Sequence, residues 1–145
     1  ENDVPLIVGA NSNEASVLRT LGVSSALLAP LVGAKMAAFR AVYGADTSEE
    51  EFLRQAMGDA VFVAPSRWVA QQAADGAAAY LYYFDYVLKR RRDQAPGASH
   101  GSEIPYVFKT WANMRLSRLL RRQDRQMTEL MSLVTRNKSS LLLQI

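Results

Sequence analysis

The sequence has no cysteine and one histidine among its 145 residues. The lack of cysteine excludes disulfides and thiolate metal sites, and a single histidine excludes a histidine-rich metal cluster, so we expect no bound metal. No apolar run approaches the roughly 20 residues that a membrane-spanning helix needs, and no basic segment followed by an apolar one opens the sequence. We therefore expect a soluble chain without a membrane span, in a compartment that the sequence leaves open.

Charge is divided unevenly along the chain. From Lys89 onward there are twelve Lys and Arg against four Asp and Glu, whereas residues 1–88 contain five Lys and Arg against ten Asp and Glu. Such a basic half can attract nucleic acid or an anionic membrane surface. No recognised nucleic-acid motif accompanies it, however, and charge runs are usually solvated faces. We predict no nucleic-acid partner.

What the sequence does contain is 49% hydrophobic residues, enough for one globular domain with a sizeable core. The apolar run at residues 4–10 does not alternate, as is typical of a parallel strand covered on both faces. The aromatic run at residues 79–87 predicts a second strand. The connection between them is long enough for a parallel crossover, so we predict an α/β fold with these strands adjacent or near-adjacent and helices around them.

Helical spacing of apolar residues predicts helices over residues 27–43 and 115–134, and we expect another helix over residues 65–74, closed by Asp75 and Gly76. Gly44 is expected to end the first of these. A further helix should begin after Thr47 and Ser48, where three acids follow the cap. We find no internal repeat and no linker to a second domain.

The segment at residues 97–101, GASHG, satisfies the G-x-S-x-G pattern of an esterase nucleophile. That motif requires a strand running straight into a sharp turn and a helix after it. Here a charged run closed by Pro96 precedes the motif, and Pro105 would remove a backbone donor from the helix that should follow. We therefore reject Ser99 as a nucleophile. A histidine on a glycine-flanked loop, His100, remains to be explained.

Five blocks of the sequence resemble the type B carboxylesterases, the α/β-hydrolase family that includes para-nitrobenzyl esterases and cholinesterases. They occur in the family's order and cover roughly residues 1–108: VPLIVGANSNEAS, YGAD, DAVFVAPSR, YLYYFDYV and PGASHGSEIPYVF. The resemblance implies that residues 1–145 form a single partial α/β-hydrolase domain, the carboxyl-terminal portion of that fold. Residues 109–145 would be a divergent helical tail.

The resemblance also implies roles for individual residues. Glu14 matches the acid of a Ser-Glu-His triad and His100 its base, while Glu103 falls at an acid position beside the histidine loop. The family order of nucleophile, acid and histidine places the serine upstream of Glu14. The implied function is hydrolysis of a small-molecule carboxylic ester without a metal or organic cofactor, by a parent enzyme of which this chain, inactive alone, lacks the nucleophile.

Each of these residues also has a plainer interpretation. A lone histidine such as His100 is often structural or a solvent-exposed loop residue, Glu14 can simply cap a helix, and Glu103 can be a solvated loop residue. Trp68 and Trp111 are predicted core residues rather than a substrate wall. An alternative function is a non-catalytic interaction or adhesion role on the same fold, which the residue at the upstream nucleophile position would discriminate. Acyl and alcohol specificity and the oligomeric state stay open.

Overall fold

Two parallel strands form the centre of the fold. The computed structural model describes residues 3–24, 30, 36–73, 75–110, 126–127 and 143–144. Its elements in chain order are β1 (Leu6–Asn11), α1 (Ser16–Thr20), α2 (Met36–Tyr43), α3 (Glu49–Gly58), a π-helix (Asp59–Val63), α4 (Ala64–Ala73), β2 (Ala79–Phe84), a 3₁₀ turn (Lys89–Arg91), α5 (Ile104–Val107) and β3 (Leu143–Gln144).

β1 pairs with β2 in parallel, from Leu6 opposite Ala79 to Asn11 opposite Phe84. β3 extends the sheet by pairing in parallel with two residues of β2. The predicted parallel strands and the α/β class are thus confirmed. The predicted bounds were wrong at both strands, because the ladder of β1 starts later and includes Asn11, and that of β2 stops at Phe84 rather than residue 87.

The helices between the strands follow local sequence signals. Ser48 caps α3, its hydroxyl accepting a hydrogen bond from the Glu51 N–H at 3.2 Å, and three acids occupy the first turn as predicted. Gly44, with φ of 93°, follows the end of α2. α3 runs through the unpredicted π-helix into α4. Across the described ranges, no helix combines the length and the apolar character needed to cross a membrane.

α4 packs against β1 and β2 on one side and leaves the other side in solvent. The Ser66 hydroxyl donates to the Gly9 carbonyl at 3.1 Å, so this residue faces the sheet. Trp68 lies two residues further, about 200° round the helix, and is 62% exposed. Its prediction as a core residue was therefore wrong. Trp111 and nearly all of the predicted helix over 115–134 lie outside the described residues.

The buried cluster nearest the carboxyl ends of the strands consists of Phe84, Ala98 and Tyr106. The rings of Phe84 and Tyr106 have centroids 5.6 Å apart. Phe84 ends β2, whereas Ala98 and Tyr106 flank the loop that carries His100, so this cluster anchors the loop from both sides. Such aromatic contacts add about 0.5–1.5 kcal/mol to the burial of the rings.

We expect Gly9→Ala to destabilise the protein severely. A Cβ at Gly9 would overlap the Tyr82 carbonyl oxygen and lie 2.5 Å from the Tyr82 ring, so the two strands would have to separate. The expected loss in free energy of unfolding is about 3 kcal/mol or more, measured by urea unfolding. Gly58→Ala is the matched control, because among the described residues its Cβ would meet nothing closer than Glu14 Cβ at 3.7 Å. Equal losses in the two variants would contradict this packing.

Candidate active site

The acid and the histidine that the sequence singles out lie together at the carboxyl end of β1. The Nδ1 atom of His100 is 2.5 Å from Oε2 of Glu14, although the two residues are 86 positions apart in the sequence. The Glu14 side chain is 6% exposed and that of His100 is 43% exposed. The acid is therefore shielded from water, while the ring reaches the surface.

Glu14 does not act as a helix cap. The residue at the amino-terminal cap of α1 is Ala15, and that helix has no side-chain cap bond. Instead, the second carboxylate oxygen of Glu14 accepts the backbone N–H of Asn11 at 2.6 Å. With one oxygen held by the strand end and the other on His100, the carboxylate has a fixed orientation.

The histidine loop is held by the turn that follows β1. The Ser12 hydroxyl accepts the Ala98 N–H, and the Ser16 hydroxyl accepts the His100 N–H, both at 2.8 Å. The Asn13 N–H donates to the Ala98 carbonyl at 2.9 Å. These contacts fix the backbone of the loop that carries the His100 side chain.

Gly97 lets the loop approach this closely. A Cβ there would lie 2.6 Å from the Ser12 hydroxyl and 3.3 Å from Asn13 Cβ, so any larger residue would push the loop away from the turn. The structural requirement for glycine at the first position of the GASHG segment is thus close packing.

A π-helix supports the imidazole from another direction. Phe62 lies in this segment, and its ring centroid is 5.1 Å from that of His100 at an interplanar angle of 52°. The extra residue per turn in a π-helix changes where side chains point, and such segments are frequent at functional sites. The sequence offered Phe62 only as part of a family block, with no sign of the π-helix.

Glu103 is a half-buried member of the same network. Its Oε2 accepts a hydrogen bond from the Asn11 side-chain amide. Burial raises the pKa of Tyr82 to about 12, and the carboxylates of Glu103 and Glu14 add to this increase by disfavouring the phenolate. The Tyr82 hydroxyl therefore keeps its proton at neutral pH.

Arg54, which lies on α3, holds the turn of residues 12–14 that carries Glu14. Its guanidinium donates to the Ser12 carbonyl at 3.1 Å and to Asn13 Oδ1 at 3.2 Å, and it pairs with both carboxylate oxygens of Glu51. The hydrogen bonds to Arg54 lower the pKa of Glu51, and those to Glu51 raise the pKa of Arg54. This ion pair keeps Arg54 oriented toward the turn.

His100 lies at the edge of a cleft. A carboxylate only accepts hydrogen bonds, so the imidazole tautomer that fits this contact donates from Nδ1 to Glu14 and leaves Nε2 as an acceptor. In the part of the chain that the structure describes, no group bonds Nε2. His100 and Ser99 border an open cleft of about 900 Å³. The arrangement can take a proton from a group placed in that cleft.

The described residues contain no cluster of three His, Cys, Asp or Glu side chains able to hold a metal ion. Among the residues that sequence reasoning missed are three polar ones, Asn11, Ser12 and Ser16. Asn and Ser at the end of a strand are typical of turns. Only their position at the carboxyl edge of a parallel strand indicated a functional site.

Comparison with known families places residues 34–137 in the carboxylesterase family. Because this match covers most of the chain, the protein belongs to that family, whose activity is ester hydrolysis and whose fold is the α/β-hydrolase fold. The matched range includes His100 and Glu103, begins after Glu14, and runs past residue 108 into the tail predicted to be divergent. A search of curated proteins finds no significant match.

Proposed function

We propose that this chain supplies the base and the acid of a serine ester hydrolase, His100 and Glu14, acting on a small-molecule carboxylic ester. The observation that carries the proposal is the contact between Nδ1 of His100 and the buried Glu14 carboxylate at 2.5 Å. Membership of the carboxylesterase family supplies the reaction class. A histidine oriented by a buried acid is the arrangement that activates a serine hydroxyl.

The proposed roles of His100 and Glu14 require the following proton transfers. Nε2 of His100 takes the proton of a serine hydroxyl as its oxygen attacks the ester carbonyl carbon, and Glu14 stabilises the imidazolium that forms. The imidazolium then gives this proton to the departing alkoxide, so that an alcohol leaves and an acyl-enzyme remains. Water repeats the cycle on the acyl-enzyme: Nε2 takes a proton from water, the acid is released, and the serine regains its proton.

The proposed nucleophile lies in protein sequence outside these 145 residues. Ser99 is poorly suited to the role, because β2 ends at Phe84, α5 begins at Ile104, and Ser99 lies between them in an isolated bridge with Asn13. A nucleophile elbow needs a strand on one side and a helix on the other, with donors aimed at the developing oxyanion. The Glu14 and His100 pair would meet such an elbow across the open cleft.

This proposal predicts that the 145-residue chain alone lacks esterase activity that depends on His100. Without a nucleophile and an oxyanion hole, a positioned base cannot transfer an acyl group. Release of p-nitrophenol from p-nitrophenyl acetate should be equal for the purified chain and its His100→Ala variant. Faster release by the unsubstituted chain, removed again by Ser99→Ala, would contradict the proposal and make Ser99 the nucleophile.

A further inference from the structure

Asn11 contacts both sides of the candidate site. It is the last residue of β1, and 3% of its surface is exposed. Its backbone N–H donates to Glu14 at 2.6 Å, while its side-chain amide donates to the Ser99 carbonyl at 2.8 Å and to the Glu103 carboxylate. One residue thus links the acid to the residue before His100 and to the carboxylate three positions after it.

The serine contacts to the same loop differ from those of Asn11. Ser12 and Ser16 each accept one backbone N–H, so they hold the path of the loop only. The Asn11 amide binds a carbonyl and a carboxylate that lie on either side of His100 in the sequence. It therefore constrains how the loop is rotated about the contact between His100 and Glu14.

The Asn11 side chain also carries an unpaired oxygen. Within the described residues, its Oδ1 is buried and has no hydrogen-bond partner. An unpaired buried acceptor costs free energy, which an apolar side chain of similar size would avoid. We therefore attribute the role of Asn11 to the two hydrogen bonds that its NH₂ group donates, and not to its Oδ1 acceptor.

We infer that Asn11 is a positioning residue, whose amide holds the Ser99 carbonyl and the Glu103 carboxylate so that the His100 ring keeps its Nδ1 on Glu14 and its Nε2 toward the cleft. This inference rests on the proposed function. It gives Glu103 a defined task as the acceptor that orients the Asn11 amide. It also assigns a role to a residue that lies outside the strand predicted over residues 4–10.

Asn11→Asp tests the inference with little change of shape. The backbone N–H to Glu14 survives the substitution, but both side-chain donations are lost and a carboxylate faces Glu103. In the full-length protein we expect kcat for p-nitrophenyl acetate to fall about 10- to 100-fold, with KM changed by less than about twofold, because small displacements of a catalytic group cost rate rather than binding. Asn11→Ala, which adds no charge, should show the same pattern.

Gln71→Glu is the matched control, since it makes the same amide-to-acid change at an exposed position of α4. Its kcat should stay within about twofold of the unsubstituted protein. Circular dichroism establishes that each variant is folded. A loss in folded Asn11→Asp and Asn11→Ala that appears in KM alone would overturn the inference.

A second substitution asks whether Asn11 acts through Glu103. In Asn11→Asp with Glu103→Gln, the donor and the acceptor exchange places, so the bond between the two side chains can form again. We expect this double variant to recover about 10-fold in kcat over Asn11→Asp, although the donation to Ser99 stays lost. If the effects of the two substitutions simply multiply, Asn11 does not act through Glu103 and the inference is wrong.

A spectroscopic measurement separates this inference from the proposed function. Histidine-selective ¹⁵N labelling of the full-length protein gives the Nδ1–H resonance of His100, assigned by its loss in His100→Ala. We expect this resonance to shift or exchange away in Asn11→Asp, and an unchanged resonance would overturn the inference. If His100→Ala keeps full ester turnover, the proposed function fails instead, and the resonance alone then decides whether Asn11 positions the ring.

Discussion

Replacing His100 by alanine in the full-length protein should reduce kcat/KM for ester hydrolysis by about 10⁴- to 10⁶-fold. The serine hydroxyl is a weak nucleophile unless a base takes its proton, and Nε2 of His100 is the acceptor that the Glu14 contact leaves free. Steady-state hydrolysis of p-nitrophenyl acetate measures the effect. Circular dichroism and the melting temperature confirm that the variant is folded.

Ser99→Ala is the control for this experiment, because it alters the same loop and leaves the imidazole in place. The Ser99 contacts that hold the loop are made by its backbone, and its side chain has no part in the proposed mechanism. Turnover should stay within about twofold of the unsubstituted protein. If His100→Ala retained a tenth or more of the activity, the base would have to be a different residue.

Glu14→Gln should lower kcat by about 10²- to 10⁴-fold and leave KM nearly unchanged. The new amide has almost the shape of the carboxylate, but its NH₂ group can face Nδ1 only if the ring proton moves to Nε2. That tautomer cannot accept the serine proton, and the imidazolium loses its stabilising charge. Kinetics with p-nitrophenyl esters of increasing chain length separate kcat from KM.

Glu50→Gln is the control for Glu14→Gln, because it makes the same change from a carboxylate to an amide close to the candidate site. Glu50 is an exposed residue in the first turn of α3 and borders the same cleft as His100. Its substitution should change kcat by less than about twofold. A Glu14→Gln variant that behaves like Glu50→Gln would show that the acid does not orient the base.

Much of the strand and helix framework could be predicted from the sequence. The apolar run that became β1 and the aromatic run that became β2 are strong signals, because a buried parallel strand needs apolar residues on both faces. The ends were less predictable. Asn11 reads as a turn former, yet its backbone continues the ladder opposite Phe84, since the neighbouring strand supplies the partner.

The pairing of Glu14 with His100 was available only through resemblance to a family. Neither residue carries a local signal for the other across 86 positions. The contacts of the Asn11, Ser12 and Ser16 side chains could not be predicted for the same reason, because their partners lie on a loop that is distant in the sequence and comes close only in the fold. The exposure of Trp68 depends on the rotation of α4, which the Ser66 contact to β1 sets.

The most direct test of the account is to label the full-length protein with a fluorophosphonate probe and to map the modified serine by mass spectrometry. This probe reacts with a serine oxygen only when a base activates it and fluoride can leave. We predict one labelled serine outside these 145 residues, with labelling abolished in His100→Ala and strongly slowed in Glu14→Gln. Labelling at Ser99, or labelling of an outside serine that persists in His100→Ala, would contradict the assignment of His100 and Glu14 as the base and acid of a serine ester hydrolase.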